Sequence, residues 1–297
     1  MGLSSLYRGR FAPTPSGPLH FGSMVAAVGS YLDARSYAGM WEIRIDDFDW
    51  PRVVPGAADA ILRCLQAFGM HWDGEPVFQS RRAGAYHAAL HRLRQRELLY
   101  PCACSRRDIG EAGNSGIEGP VYPGTCREAL AGDRPARALR VRTGEARVAF
   151  LDRLQGPVEQ ELTQGVGDFV LYRSDRIYSY HLACAVDDAA QGITHVVRGA
   201  DLIASTPRQI YLQQLLDLPT PAYLHLPLAT HPGGEKLSKQ TRAPAVNTAD
   251  PAPTLRKILE FLGHSAPDHF NTLDKLWPWA IANWRIENIP GTSRSIS

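Results

Sequence analysis

Apolar residues recur along this chain with two periods, and the switches between them predict its elements. Over 22–37, Met24, Val28, Tyr31 and Leu32 fall on one helical face, which predicts a helix with a single buried side. Residues 8–12 before it and 41–45 after it read as strands. The first runs into a Pro/Gly turn and the second into the acidic turn Asp46-Asp47-Phe48-Asp49. A second helix is predicted over 57–68, with Ile61, Leu65 and Phe68 inward. Strand, helix, strand and helix in succession predict an α/β fold with a parallel sheet.

The rhythm breaks over 99–150, a stretch with clustered cysteines, several glycines and the arginines 134, 137, 140, 142 and 147. It resumes near Gly167, with strands at 169–172 and 194–197. A helix start follows at Thr206-Pro207-Arg208-Gln209, where Thr206 is the expected N-cap. Helices close the chain at 255–262 and 273–284, and residues 290–297 are expected to fray. The expected organisation is therefore a first half of a catalytic core over 1–98, an insertion over 99–150, the second half over 151–240, and a short helical segment over 241–297.

Composition narrows the class. With 44% hydrophobic and 21% charged residues, the 297-residue chain is ordinary for a globular protein, and its net charge of +2 creates no global field for nucleic acid. No apolar run approaches a membrane span, and residues 1–10 lack the apolar core of a signal peptide, so a cytoplasmic protein is expected. Cys102, Cys104 and Cys126 cluster, while Cys64 and Cys184 fall in patterns that suit packing. In a reducing compartment three clustered thiols suggest a metal.

Two short motifs carry the chemistry. Pro15-Ser16-Gly17-Pro18-Leu19-His20-Phe21-Gly22-Ser23 joins the first strand to the first helix through small residues, which aims backbone N–H groups at an anion. Lys236-Leu237-Ser238-Lys239 sets two ammonium groups three residues apart on a loop. Alone, each is an ordinary turn or a solvated charged loop. Together they describe a site that grips ATP from both ends and stabilises a departing pyrophosphate.

With its preceding Arg10-Phe11-Ala12-Pro13-Thr14 run, the first motif resembles the opening of the glutamyl-tRNA synthetases, a branch of the class I aminoacyl-tRNA synthetases. His20-Phe21-Gly22-Ser23 occupies the signature tetrapeptide, with Ser23 where many class I members have a second histidine. Lys236 to Gln240 resembles the second signature, Gln240 replacing its final serine. The resemblance implies a Rossmann-like class I core and ATP with Mg²⁺. It makes His20 and Lys239 the catalytic groups, with Gly22, Ser23, Lys236 and Ser238 also on ATP.

Glutamate would need a cation for its side-chain carboxylate and an acceptor for its ammonium. Arg10 offers a bidentate fork, and the resemblance places Phe11, Ala12, Pro13 and Thr14 beside it around the amino acid. Asp46 stands where the family commonly has a glutamate against the ammonium, one methylene longer. Tyr180-His181-Leu182-Ala183 and the segment from Val197 to Leu202 also resemble family segments, which implies that Tyr180 and Arg198 line the pocket. A plain acidic turn at Asp46 and a surface ion pair at Arg198 are the alternatives.

Zinc favours four ligands, and the insertion offers three thiols without a histidine. Val121-Tyr122-Pro123-Gly124-Thr125-Cys126 resembles the zinc loop of a shortened branch of the glutamyl family, where a tyrosine completes the set. That likeness implies Cys102, Cys104, Tyr122 and Cys126 as ligands, with water or Asp108 as the alternative fourth. After Lys239 only residues 240–297 follow, too few for a separate anticodon-binding domain. The shortened branch implies a monomer that activates L-glutamate without tRNA. It then modifies queuosine at the wobble position of tRNA(Asp), docking the anticodon stem-loop. Arg134, Arg137, Arg140, Arg142 and Arg147 are candidate phosphate contacts to it. Arg140 and Arg142 alternate about Val141, so both can sit on one strand face, and a solvated edge strand is the alternative reading. A shortened enzyme charging a tRNA 3′ end and a silent RNA-binding paralogue are the competing readings.

Overall fold

The strands on either side of the first helix are the middle of a seven-stranded sheet. The computed structural model describes residues 7–130, 134–230, 244–291 and 294–295. Its first part runs β1 (Arg8–Phe11), α1 (Phe21–Ser36), β2 (Met40–Ile45), α2 (Ala57–Ala67), β3 (Val77–Phe78) and α3 (Ala83–Gln95). Next come β4 (Leu99–Cys102), α4 (Arg106–Ala112), β5 (Ser115–Gly116), β6 (Gly119–Pro120) and β7 (Ala138–Val141). The chain continues through β8 (Arg147–Asp152), β9 (Gly156–Glu161), α5 (Leu162–Gly165), β10 (Val170–Tyr172), α6 (Tyr180–Ala190) and β11 (His195–Gly199). It closes with α7 (Thr206–Leu215), β12 (Ala222–Leu226), β13 (Ala229–Thr230), α8 (Pro251–Phe261), α9 (Leu273–Asn283) and β14 (Arg294–Ser295).

The main sheet has the order β3-β2-β1-β11-β12-β8-β9 and is parallel except for the β8–β9 hairpin at one edge. From β1 the chain builds outward through β2 and β3, then returns to lay β11 on the other side of β1. That reversal opens a crevice at the carboxyl ends of β1 and β11, where α/β sheets bind ligands.

Because side chains alternate across a strand, the sheet has two different faces. One is apolar: Phe11, Trp41, Ile43, Ile45, Val197, Leu224 and Leu226 pack with α1, α2, α8 and α9 in a single cluster. Contact there is tight at Gly29 of α1, where a Cβ would lie 2.4 Å from Leu226 Cδ1. On the other face, under α6 and α7, Arg10, Arg44, Arg198 and His225 are all buried. The C-terminal helices are tied to the core by Trp277 Nε1, which donates to the Phe68 carbonyl at 2.8 Å, and by Trp284 Nε1, which donates to buried Asp33 at 3.1 Å.

A smaller antiparallel sheet, β10-β7-β4, carries the cysteine-rich segment. Buried Asp168 organises it, accepting from Tyr100 Oη at 2.6 Å, Arg127 Nε at 2.8 Å and both donors of Thr143. Two expectations need correction. Arg294 and Ser295 are not frayed but pair in parallel with Ala229 and Thr230, closing the tail onto the core. Ser205, not Thr206, precedes the first turn of α7; Thr206 is helical, and its hydroxyl donates to the Leu202 carbonyl at 3.0 Å. Among the described residues no helix is long and apolar enough to cross a membrane.

Candidate active site

The crevice at the carboxyl ends of β1, β11 and β12 is a cleft of about 330 Å³. Phe11, Pro13, Thr14, Ser16, His20, Gly22 and Ser23 line one side, and Gly199, Asp201, Leu202 and Ala229 the other; Ala12 does not line it. Gly17 turns the chain at φ +134°, a conformation that side chains disfavour. His20 is the N-cap of α1 and forms a reciprocal cap with Ser23. The Ser23 N–H donates to His20 Nδ1 at 3.3 Å, and the His20 N–H donates to Ser23 Oγ at 3.1 Å. An imidazole accepting at Nδ1 carries its hydrogen on Nε2 when neutral. Ser23 thus fixes the ring of His20 as a donor at a helix N-terminus, where anions are favoured.

Lys236, Ser238 and Lys239 lie outside the described residues. The flanks of their segment both meet the cleft: Ala229 lines it, and Ala245 bridges to His20 in antiparallel fashion.

Beside the cleft lies a layer of buried charge. Arg10 and Arg198 immediately precede the cleft residues Phe11 and Gly199 in neighbouring strands. Tyr180, Cys184 and Asp188, spaced by four, share one face of α6 above them. The side edge of Arg10 does form a bidentate fork, but to the protein's own Asp188: Nε and Nη2 donate at 3.0 and 3.2 Å. Arg44 donates to Asp188 at 2.5 Å and to Asp46 at 2.8 Å, with Cys184 Sγ at 3.4 Å. Burial alone would raise Asp188, yet the two guanidiniums hold its carboxyl down at about 2. For Asp46 burial outweighs Arg44, and its carboxyl is pushed up to about 6.

Arg198 differs. Its hydrogen-bond partners among the described residues are neutral: Nε donates to His225 Nε2 at 3.1 Å, Nη2 to Thr206 Oγ1 at 2.7 Å, and Nη1 to Tyr180 Oη at 3.4 Å. The structure thus brings Tyr180 and Arg198 together and, in the same layer, gives Arg10 and Arg44 carboxylate partners. Sequence reasoning missed Arg44, Asp188, Asp152, Thr206 and His225. The four-residue spacing of Tyr180, Cys184 and Asp188 was the available signal for Asp188.

In the insertion, the sulfurs of Cys102, Cys104 and Cys126 lie within 4.8 Å of one another. Tyr122 Oη sits among them, 3.5 Å from Cys102 Sγ and 3.9 Å from Cys104 Sγ, and accepts from the Cys126 N–H at 2.8 Å. Burial and the neighbouring Cys126 push the Cys104 thiol up to about 11, and burial also raises the Tyr122 phenol. Packing three thiols and a phenol together suits a dication that binds them deprotonated. Three sulfurs and one oxygen around one point fit zinc. Asp108 instead caps α4 and pairs with Arg134 at 2.8 Å. Arg140 lies in β7 and Arg142 just past its end. Their guanidiniums lie 3.8 Å over the Tyr122 ring and 5.0 Å over the Tyr100 ring. Arg147 pairs with Glu159 at 2.6 Å, while Arg137 is exposed.

Residues 7–252 match the profile of the family described as tRNA synthetases class I (E and Q), catalytic domain. The chain is 53% identical over 287 residues to the Glutamyl-Q tRNA(Asp) synthetase of Chromobacterium violaceum, covering 97% of this chain and 96% of that relative. It is 54% identical over 295 residues to the protein of the same name in Dechloromonas aromatica, covering 98% of each. Among solved structures, glutamate-tRNA synthetase from Elizabethkingia anophelis superposes with a TM-score of 0.81 at 22% identity, over 99% of this chain and 68% of that one. At that identity the likeness speaks to fold, and it bears out the class I core read from the two signatures.

Proposed function

We propose, from the premise that this chain belongs to the class I tRNA synthetases of the E and Q type and is a ligase, that it activates L-glutamate with ATP and transfers it to queuosine in tRNA(Asp). The observation that carries the amino-acid specificity is the contrast among buried arginines. Arg10 and Arg44 contact carboxylates, whereas the hydrogen-bond partners of Arg198 among the described residues are His225, Thr206 and Tyr180, with the Tyr223 ring 5.5 Å from its guanidinium carbon. A substrate carboxylate at the Nη1 end of Arg198, beside the Tyr180 hydroxyl, gains a charge-assisted partner that no carboxylate among the described residues contacts. Asp46 receives the ammonium in ionised form, and Phe11, Pro13 and Thr14 wall the reacting end.

The glutamate α-carboxylate oxygen attacks the α-phosphorus of ATP, the bond to the bridging oxygen breaks, and pyrophosphate leaves. Side chains position the reactants and stabilise developing negative charge. His20 donates from Nε2, the first turn of α1 offers Gly22 and Ser23, and Lys236, Ser238 and Lys239 approach the phosphates. Mg²⁺ accompanies the nucleotide. A hydroxyl of the queuosine cyclopentene-diol then attacks the acyl carbon, forming an ester and releasing AMP. Zinc held by Cys102, Cys104, Tyr122 and Cys126 ties the insertion together rather than entering these steps. The anticodon stem-loop, a monomeric state, a cytoplasmic location and the division at 98, 150 and 240 complete the reading. The names of the relatives favour queuosine over a 3′ end as acceptor.

The test is transfer of labelled glutamate to tRNA(Asp) with and without queuosine. Label on the queuosine-containing RNA alone is expected. Label removable from a 3′ terminus would replace this reading with a charging enzyme.

A further inference from the structure

The side edges of Arg10 and Arg198 are held by different chemistry, and the holder of Arg198 is built from three separate elements. Arg198 and His225 are direct register partners on the parallel strands β11 and β12. Asp152 ends the next strand, β8, and Thr206 opens α7. All are buried, with His225 and Thr206 at 0% exposure. One oxygen of Asp152 accepts from the N–H groups of Leu154 and Gln155 at 3.0 and 2.8 Å; the other lies 2.6 Å from His225 Nδ1.

We propose that Asp152, His225 and Thr206 are positioning residues that hold the guanidinium of Arg198 in place for the substrate's side-chain carboxylate. The inference rests on the glutamate-activating reading above. Its logic is one of proton placement. A carboxylate bonded this fully is an acceptor only, so Nδ1 of His225 bears the hydrogen and Nε2 presents a lone pair. That lone pair accepts from Arg198 Nε. Thr206 Oγ1 accepts from Nη2 and passes its own hydrogen to the Leu202 carbonyl. Burial and the Arg198 charge favour neutral imidazole, and the His225 ring is indeed held below its usual range. A carboxylate placed directly on that edge, as Asp188 is on Arg10, would neutralise the cation. A neutral ring backed by Asp152 fixes its orientation and leaves its charge for the substrate.

The experiment is glutamate-dependent ATP–pyrophosphate exchange in the full chain, with KM for glutamate, KM for ATP and kcat measured separately. In Asp152→Asn the amide can donate to Nδ1, moving the ring hydrogen to Nε2 against Arg198. KM for glutamate is expected to rise roughly tenfold to a hundredfold, the loss of one charged hydrogen bond, with KM for ATP unchanged. His225→Leu should behave alike, and His225→Gln, whose Oε1 can accept from Arg198, should recover most of the loss. The near-isosteric Thr206→Val, with Thr206→Ser as its rescue, supplies the same readout should the other variants misfold. Unchanged KM for glutamate in these variants, or KM for ATP rising in step, would overturn the positioning role alone. Absence of glutamate-dependent exchange in the parent protein would overturn the functional reading, and this role with it.

Discussion

The two faces of one sheet solve opposite problems. Toward α1, α2, α8 and α9 the strands present Phe11, Trp41, Ile43, Ile45, Leu224 and Leu226, and stability there comes from apolar area removed from water. One residue along the same strands, Arg10, Arg44, Arg198 and His225 are buried just as deeply toward α6 and α7. Burying charge is costly unless each ion finds partners. Among the described residues this face meets that requirement with Asp188 and Asp46 for two arginines and with neutral hydrogen-bond partners for the third.

The sharpest way to break the comparison is at Arg198. Arg198→Ala is expected to lower kcat/KM for glutamate by about a hundredfold to a thousandfold, measured by exchange, while KM for ATP stays put. Substitution on the apolar face should do the reverse. Leu224→Ala leaves a cavity and should cost about 3 kcal/mol of stability in denaturant unfolding, with KM for glutamate unmoved. A KM change there would mean that the two faces are not separable.

A smaller effect follows from Asp46, whose carboxyl titrates at about 6 rather than its usual 3.8 because burial outweighs its pairing with Arg44. The folded chain takes up that proton more readily than the unfolded one. Stability from this group therefore falls as pH rises from about 4 to about 6 and is flat above. Binding of an ammonium needs the ionised form, so KM for glutamate should rise about tenfold at pH 5 relative to neutral pH. Asp46→Asn should remove this acid limb. Asp188 has the opposite sign: held at about 2, its contribution is present above the usual carboxylate range and lost only as pH falls toward 2.

The apolar face was legible in the sequence because periodicity reports it directly: Met24, Val28 and Leu32, then Ile61 and Leu65, were placed inward and are fully buried. The charged face was harder. Trp41-Glu42-Ile43-Arg44-Ile45 alternates like a strand with one wet side, yet Arg44 is 0% exposed because α6 covers it. No local pattern says what will lie over a strand. Arg198 and Tyr180 were found through family likeness, whereas Asp152 and His225 were missed because their role depends on strand order. The clustering of Cys102, Cys104, Tyr122 and Cys126 was easier, since they lie close in sequence. Alternation lets Arg140 and Arg142 share a strand face, but their placement over two tyrosine rings is set by tertiary packing.

On the proposed reading Arg198, which no carboxylate among the described residues contacts, selects glutamate by its charge. ATP–pyrophosphate exchange without tRNA, run with glutamate, glutamine and aspartate side by side, tests it most directly. Exchange with glutamate is expected, with at least about a hundredfold lower kcat/KM for glutamine, which offers Arg198 no charge. Equal exchange with glutamine, or none with glutamate, would contradict it.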